Sequence, residues 1–120
     1  MKTMLYKSAL LVGAMLLLFG QTQATKPSPG QRIDINAKRF RYEPNEITVK
    51  KGQPVTLVFH SQDVTHGFVS DDFHVKTDIP KHESSEVTFT PEQAGDFGGK
   101  CAHFCGEGHG GMQLKIHVAE

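Results

Sequence analysis

Residues 101–112 read C-A-H-F-C-G-E-G-H-G-G-M and contain the densest group of metal-binding side chains in the chain. Cys101, Cys105, His109 and Met112 follow the spacing C-x3-C-x3-H-x2-M. Soft sulfur combined with imidazole nitrogen is a ligand set that favours copper over magnesium or calcium. Glycines fill most of the gaps, and residues without a Cβ let the backbone turn several side chains toward one point. The stretch therefore predicts a metal-binding loop rather than a helix.

The N-terminal segment has the layout of an export signal. Lys2 and Lys7 precede an apolar run, and Thr22 and Ala24 occupy the −3 and −1 positions of a plausible cleavage site. The run is shorter than the roughly 20 residues that span a bilayer. We therefore expect a signal peptide over residues 1–24, cleaved after Ala24, and a periplasmic protein. An uncleaved N-terminal segment that anchors the protein to the inner membrane is the alternative.

The rest of the chain has the size and charge of a single exported domain. Of the 120 residues, 13 are basic and 13 are acidic, so the composition gives no sign of nucleic-acid binding. Residues 25–30, T-K-P-S-P-G, predict a flexible leader, and residues 31–120 predict one domain with one core. Both cysteines lie in that domain, so a disulfide between them is the first alternative to a metal site in an oxidising compartment.

Short apolar segments separated by glycine and proline turns predict an all-β fold. Strands are expected at residues 33–36, 54–61, 86–90 and 113–119, where apolar residues alternate or form β-branched runs, and apolar content continues from Phe40 to Val49 across a break at Pro44-Asn45. Residues 77–85 are polar, and we interpret them as turn-like around a proline. This pattern predicts a β-sandwich or barrel in which the metal loop joins the last two strands.

His66 is a further candidate ligand from an earlier part of the chain. Val64, His66 and Phe68 share a parity, so in an extended segment they share a face, and the imidazole points inward among apolar neighbours. Val64, Phe68, Phe97 and Phe104 are candidates for an apolar shell around a metal, or for ordinary core.

Four interpretations account for the cluster to different degrees. A disulfide between Cys101 and Cys105 gives no role to Met112, the glycines or His66. Tetrahedral zinc would use both cysteines, His66 and His109, but not the methionine. A mononuclear copper site would use one cysteine, both histidines and the methionine, and would leave the other thiol prone to oxidation beside the metal. A dinuclear copper site uses all five side chains.

The motif has a family resemblance that favours the last interpretation. Residues 101–112, with G-D-F-G-G-K before them and V-T-H-G-F around His66, resemble the dinuclear copper A (CuA) domain of haem-copper oxidase subunit II. They resemble the corresponding domain of nitrous oxide reductase more distantly. The likeness covers roughly residues 40–120. It implies a Greek-key β-sandwich of the cupredoxin type that holds two copper ions in one centre.

The resemblance also implies a role for each residue of the motif. One copper would bind His66 and Met112, the other would bind His109 and the backbone carbonyl of His103, and both cysteines would be shared. His103 stands where oxidase subunits carry a glutamate, whose carboxylate serves at the interface with the catalytic subunit. Because the implied copper contact is a carbonyl, this difference need not alter the centre.

Two features of the sequence differ from an ordinary oxidase subunit. The chain has no tryptophan, so the tryptophan-containing run through which such oxidases accept electrons from cytochrome c is missing. No transmembrane hairpin precedes the domain. We therefore expect a freestanding periplasmic electron-transfer protein without catalysis of its own. Its partner would be a cytochrome c or a haem-copper oxidase or reductase, with no small-molecule substrate and no nucleic acid.

A copper carrier that delivers metal to an oxidase is the rival function. The small chain and five further histidines, at positions 60, 74, 82, 103 and 117, agree with it, although scattered histidines usually lie at the surface. A group of acidic residues between the first ligand and the late strands is either a solvated loop or a docking patch for a basic cytochrome. It consists of Asp71, Asp72, Asp78, Glu83 and Glu86.

Overall fold

The computed structural model describes residues 30–103 and 109–120, with only the backbone described at His109. The predicted signal peptide and the predicted leader up to residue 29 lie outside the described residues, as do Phe104 and Cys105. Within the two described ranges, no helix has the length and apolar character needed to cross a membrane.

The described residues form nine β-strands and one short 3-10 helix. In chain order the strands are β1 (Gln31–Lys38), β2 (Arg41–Glu43), β3 (Glu46–Lys50), β4 (Val55–Ser61), β5 (His66–Ser70), β6 (Val75–Ile79), β7 (Ser84–Phe89), β8 (Gly95–Lys100) and β9 (Gln113–Ala119). The 3-10 helix, His109–Gly111, precedes β9. The all-β prediction is therefore confirmed.

The strands form two sheets around one core. The first sheet has the order β2-β1-β4-β7, and the second has the order β3-β9-β8-β5-β6. β1 pairs in parallel with β4, and β3 pairs in parallel with β9, while the remaining pairs are antiparallel. The cysteine motif connects β8 to β9, so its predicted position between the last two strands is confirmed.

The core is built from the inner faces of both sheets. β9 alternates between buried and exposed residues along its length, which is the period-two pattern of a strand with one face in the core. The rings of Tyr42, Phe59 and Phe68 meet inside the sandwich with centroids 4.7 to 5.9 Å apart. These three rings come from β2, β4 and β5, so they join the two sheets.

The interpretation of residues 77–85 as turn-like is wrong at both ends. β6 continues to Ile79, which is fully buried and pairs with His66. β7 begins before the predicted turn ends, and the hydroxyl groups of Thr77 and Ser85 hydrogen bond to each other. Strand periodicity was not visible here because most residues of β6 are exposed or half-buried, and only Ile79, its last residue, is fully buried.

Candidate metal centre

The two ends of the cysteine motif are joined by the second sheet. The backbone N–H of Cys101 donates to the carbonyl of Met112 at 3.0 Å. This bond continues the β8–β9 ladder one step beyond the pair formed by Lys100 and Gln113. Opposed residues of an antiparallel ladder project to the same side. Cys101 is 4% exposed and Met112 is fully buried, so the thiol and the thioether lie side by side on the inner face of the sheet.

β5 brings His66 to the same end of the sandwich. Val69 pairs with Lys100 in an antiparallel register, so the first residues of β5 lie beside the start of the motif. A Cβ atom built on Gly67 would lie 3.1 Å from the backbone nitrogen of His103. The contact between β5 and the motif therefore leaves little room for a side chain at position 67. His66 itself is fully buried, as the sequence parity predicts.

Phe68 and Gly99 fit against each other between β5 and β8. A Cβ atom on Gly99 would lie 2.3 Å from two atoms of the Phe68 ring and 2.9 Å from the carbonyl oxygen of Val69. Real Cβ atoms do not approach other atoms so closely, because a packed interior leaves no room for an additional atom. Glycine at position 99 thus lets the buried ring lie directly under the backbone that leads into Cys101.

Asp63 holds the imidazole ring of His66 in place. Its Oδ1 lies 2.7 Å from His66 Nε2 and accepts the N–H of Val64 at 2.7 Å, while its Oδ2 accepts the N–H of Arg39 at 2.9 Å. Burial raises the pKa of Asp63, but these hydrogen bonds together lower the pKa to about 2. Asp63 is therefore ionised at neutral pH. An ionised carboxylate can only accept hydrogen bonds, so it keeps a proton on His66 Nε2.

The other ring nitrogen of His66 is available for a ligand. Nδ1 is buried and has no hydrogen-bond partner among the described residues. A buried polar atom without a partner costs about 1–3 kcal/mol, so such atoms usually have a function. Metal-binding histidines have this arrangement, with one nitrogen donating to a carboxylate and the other facing the metal. Together with the sulfur atoms of Cys101 and Met112, this nitrogen makes a donor set that fits copper.

The backbone carbonyl of His103 faces the thiol of Cys101. The sulfur atom lies 2.9 Å from this oxygen and donates to it. His103 is otherwise an exposed residue. The carbonyl that the family resemblance implies as a ligand is thus next to the sulfur ligand. A different side chain at position 103 would change the surface rather than this contact.

The structure brings part of the predicted ligand set together. The side-chain surroundings are described for His66, Cys101, His103 and Met112. Cys105 lies outside the described residues, and His109 is described only as the first residue of the 3-10 helix that leads to Met112. Within the described part of the chain, no three His, Cys, Asp or Glu side chains form a group that could hold a metal ion.

Two residues of the site were not identified from the sequence. One is Asp63, which lies three positions before His66, and an acidic residue in the loop before a buried histidine is a signal that could have been used. The other is Tyr42, whose hydroxyl donates to the carbonyl of Gly67 at 2.6 Å inside the core. The sequence shows Tyr42 only as one of a series of apolar residues, because its polar contact with β5 depends on the tertiary structure.

Two of the additional histidines have partners on the outer faces of the sheets. His60 lies between two side chains, with Nε2 2.9 Å from Asp34 Oδ1 and Nδ1 2.6 Å from the hydroxyl of Ser84. His117 is exposed, as predicted, and its Nδ1 lies 2.7 Å from Asp96 Oδ1. The hydrogen bond from His117 lowers the pKa of Asp96. Both imidazoles are therefore engaged in surface contacts between neighbouring strands.

The candidate apolar shell is partly observed. Phe68 is fully buried, and Val64 and Phe97 are half-buried and pack against the core.

The group of acidic residues that the sequence suggests as a docking patch is distributed over several elements. Glu86 lies 2.6 Å from Arg32 on the first sheet, and other members follow β5 or lie on β6. These carboxylates do not share one strand or one turn.

Several known proteins have sequences similar to that of this chain. A family model described as a cupredoxin-like domain matches residues 8–112. A cytochrome c oxidase subunit 2 from Thermus thermophilus is 33% identical over 88 residues, which is 73% of this chain and 65% of that protein. A nitrous-oxide reductase from Cupriavidus necator is 30% identical over 90 residues, which is 72% of this chain and 14% of that protein. The chain thus spans less than two thirds of either relative.

A solved structure has the same fold. The periplasmic domain of subunit II of cytochrome oxidase from Bradyrhizobium japonicum matches with a TM-score of 0.71 and 23% sequence identity. The match covers 78% of this chain and 87% of that domain. The fold of the described residues therefore agrees with an experimentally known fold.

Proposed function

Because the chain belongs to the cupredoxin-like domain family, we propose that it is a copper electron-transfer protein with a dinuclear CuA centre. The proposed ligands are the side chains of His66, Cys101, Cys105, His109 and Met112 and the backbone carbonyl of His103. We further propose that the protein is exported to the periplasm. Its redox partner would be a cytochrome c or a haem-copper oxidase or reductase.

The state of His66 is the single observation that supports this proposal best. The ring is fully buried, its Nε2 is bound to an ionised carboxylate, and its Nδ1 has no partner among the described residues. A histidine that served only as a core side chain would need neither a carboxylate partner at one ring nitrogen nor a buried second nitrogen without a partner. The sulfur atoms of Cys101 and Met112 are buried on the inner face of the same sheet, at the same end.

The protein residues would keep the ligands fixed. A dinuclear copper centre held by the proposed ligands would supply a one-electron redox couple. Asp63 fixes the orientation of His66, and the backbone hydrogen bond between Cys101 and Met112 fixes the spacing of these two residues where the chain leaves β8 and enters β9. The side chains of His66, Cys101 and Met112 are buried, which excludes water from them. Ligands that do not move between oxidation states favour rapid electron transfer, and the supporting contacts tune the metal.

Copper loading of the purified protein, followed by metal counting and electron paramagnetic resonance, tests the proposal. The reduced protein is expected to bind two copper ions per chain and to give the spectrum of one unpaired electron shared over both. A spectrum from one copper would instead favour a mononuclear site. Zinc binding in preference to copper, or a protein that binds no copper after full reduction of its cysteines, would exclude a copper redox centre.

Competition with a copper chelator distinguishes a redox centre from a copper carrier. A redox centre retains its metal when a copper chelator is added, whereas a carrier releases it readily.

Met112→Leu removes the thioether and nearly preserves the buried volume, so the apoprotein should lose less than about 1.5 kcal/mol of stability. The loaded variant should keep both copper ions but show altered copper hyperfine splitting. An unchanged spectrum would remove Met112 from the ligand set.

A further inference from the structure

β3 (Glu46–Lys50) is a free edge of the second sheet. The sheet has the order β3-β9-β8-β5-β6, so β3 pairs with a described strand on one side only. At the opposite edge, β6 lies beside β7 of the first sheet, where the hydroxyl groups of Thr77 and Ser85 hydrogen bond to each other. An edge strand presents N–H and C=O groups that a further strand can use. β3 is therefore a place at which another polypeptide segment can extend the sheet.

The direction of the backbone groups of β3 follows from its pairing with β9. The N–H of Lys115 donates to the carbonyl of Asn45, and the N–H of Lys51 donates to the carbonyl of Ala119, both at 2.8 Å. Successive residues of a strand direct their N–H and C=O groups to alternate sides. The odd-numbered residues of this segment therefore face β9. The groups directed toward the free edge belong to Glu46, Thr48 and Lys50.

The side chains of these three residues are exposed, whereas Ile47 and Val49 are buried in the core. The side chain of Glu46 is 64% exposed, and its contact with Lys115 is long, at 4.0 Å. Lys50 has no ion pair within the residues that the structure describes. The free edge thus carries an acid at its beginning, a hydroxyl in the middle and a base at its end.

This order of charges is complementary to itself. When two β3 strands pair antiparallel with a two-fold axis at Thr48, Glu46 of each copy lies opposite Lys50 of the other. Opposite charges that face each other across two strands stabilise the pair. Two facing residues whose backbone groups both point to the shared edge exchange two hydrogen bonds in an antiparallel ladder. All three outward-facing residues would therefore be hydrogen-bonded in this register.

The same charges disfavour the other arrangements of two β3 strands. An antiparallel register shifted by two residues places Thr48 opposite Glu46 or Lys50 and loses both ion pairs. An in-register parallel pair places each Glu46 beside the other, and like charges at facing positions are destabilising. Charges on an edge strand often prevent pairing altogether, but here their order permits one arrangement.

Two weak contacts at the free edge leave its carbonyl groups available. The side-chain amide of Gln31 donates to the carbonyl of Thr48 at 3.4 Å, and the N–H of Gln53 donates to the carbonyl of Lys50 at 3.3 Å. Both distances exceed the usual 2.7–3.2 Å of an N–H···O hydrogen bond. Because a carbonyl oxygen has two lone pairs, each can also accept from a second strand.

We propose that β3 is a self-association surface, at which two copies of this chain pair antiparallel around Thr48 and form one continuous sheet. Each copy contributes the same surface, as in other two-fold interfaces. Glu46 pairs with Lys115 near the start of β9, shortly after Met112, and Lys50 lies at the other end of β3. The antiparallel arrangement thus directs the two proposed metal sites to opposite ends of the dimer. This inference goes beyond the proposed function and does not depend on copper.

Sedimentation equilibrium of the purified protein at concentrations up to about 1 mM, where weak specific association is measurable, tests the proposal. The average mass should rise with concentration toward that of two chains. Lys50→Glu places acids opposite acids, and Glu46→Lys places bases opposite bases, so each variant alone should remain monomeric. An equimolar mixture of these two variants should dimerise again, because the acidic edge of one faces the basic edge of the other.

Lys51→Glu is the matched control. It makes the same charge change one residue later, in the turn after β3, and in the proposed register Lys51 faces the uncharged Asn45. This variant should dimerise like the wild type. A wild-type protein that stays monomeric at every concentration overturns the proposal. A dimer that persists in Lys50→Glu, an equal loss in Lys51→Glu, or a mixture that remains monomeric also overturns it.

Amide hydrogen exchange, followed by nuclear magnetic resonance, identifies the surface that pairs. The N–H groups of Thr48 and Lys50 should exchange several-fold more slowly at high protein concentration than at low concentration. Those of Ile47 and Val49 should not change, because they are bonded to β9 in the monomer as well. Protection that appears instead on β6, or on both sets of β3 residues equally, would contradict the proposal.

Discussion

Asp63 and His66 form a carboxylate–imidazole pair in which a loop residue determines the state of a fully buried ring. The 2.7 Å contact uses Nε2 and leaves Nδ1 facing the interior. Backbone groups from two other positions donate to the same carboxylate. The orientation of the proposed copper ligand therefore depends on the loop between β4 and β5 and on the turn between β1 and β2.

Asp63→Asn should weaken copper binding. The amide keeps the size of the side chain but cannot accept at both oxygen positions, so the ring loses part of its support. Loss of a carboxylate behind a metal-binding histidine typically lowers metal affinity by about 10-fold to 100-fold. Competition with a copper chelator measures the effect. Asp34→Asn is the control, because Asp34 contacts His60 by the same type of bond on the outside of the first sheet. Equal losses in both variants would contradict the role of Asp63.

The acid stability of the apoprotein should depend on Asp63. The folded-state pKa of Asp63 is about 2, below its ordinary value of 3.8. Its ionised form therefore stabilises the folded state above pH 3.8, and this contribution disappears as the pH falls toward about 2. The free energy of unfolding, measured by urea titration across this interval, should fall more steeply for the wild type than for Asp63→Asn. Identical slopes would show that Asp63 makes no such contribution.

Gly99→Ala should destabilise the fold because its methyl group would overlap the ring of Phe68. The overlap at 2.3 Å involves a ring that is fully buried, and a backbone oxygen lies at 2.9 Å. Overpacking of this kind costs about 1–3 kcal/mol. Urea unfolding of the apoprotein measures the loss. Gly110→Ala is the control, since a Cβ atom at position 110 meets nothing within 4 Å. A stable Gly99→Ala variant would mean that Phe68 can move away.

Tyr42→Phe should reduce stability by about 0.5–1.5 kcal/mol, the net contribution of a typical hydrogen bond. The variant keeps the ring contacts of Tyr42 with Phe59 and Phe68 but leaves the carbonyl of Gly67 without this donor. Gly67 lies against the backbone of the cysteine motif, so the copper spectrum should also change. Thr88→Val, which removes an exposed hydroxyl contact with Thr56, should change stability less and leave the spectrum unaltered.

The parts of the molecule that follow strand periodicity could be predicted from sequence. The inward position of His66 and the alternation along β9 both follow from the geometry of an extended chain with one face in a core. The position of the cysteine motif between the last two strands follows from the order of these segments. In each case the relevant neighbours are close in sequence or belong to one regular strand.

The remaining features depend on contacts between distant segments. β8 contains the residues G-D-F-G-G-K, a composition typical of a loop, and it is a strand because it pairs with β9 along its whole length. β6 is polar and is ordered by pairing with β5. Tyr42 reaches Gly67 across 25 residues of sequence. Such partners are chosen by tertiary packing, which local patterns do not encode.

The place of β9 in the second sheet bears on how the protein forms. β9 lies between β3 and β8 rather than at an edge. Its residue Lys115 pairs with Glu46 of β3, which lies far earlier in the sequence. Pairings between segments so far apart in sequence form slowly, because a long loop must close first. The sheet can close only after β9 has been synthesised. The proposed metal site, which uses Cys101 after β8 and Met112 before β9, would therefore be completed only after these two strands have paired.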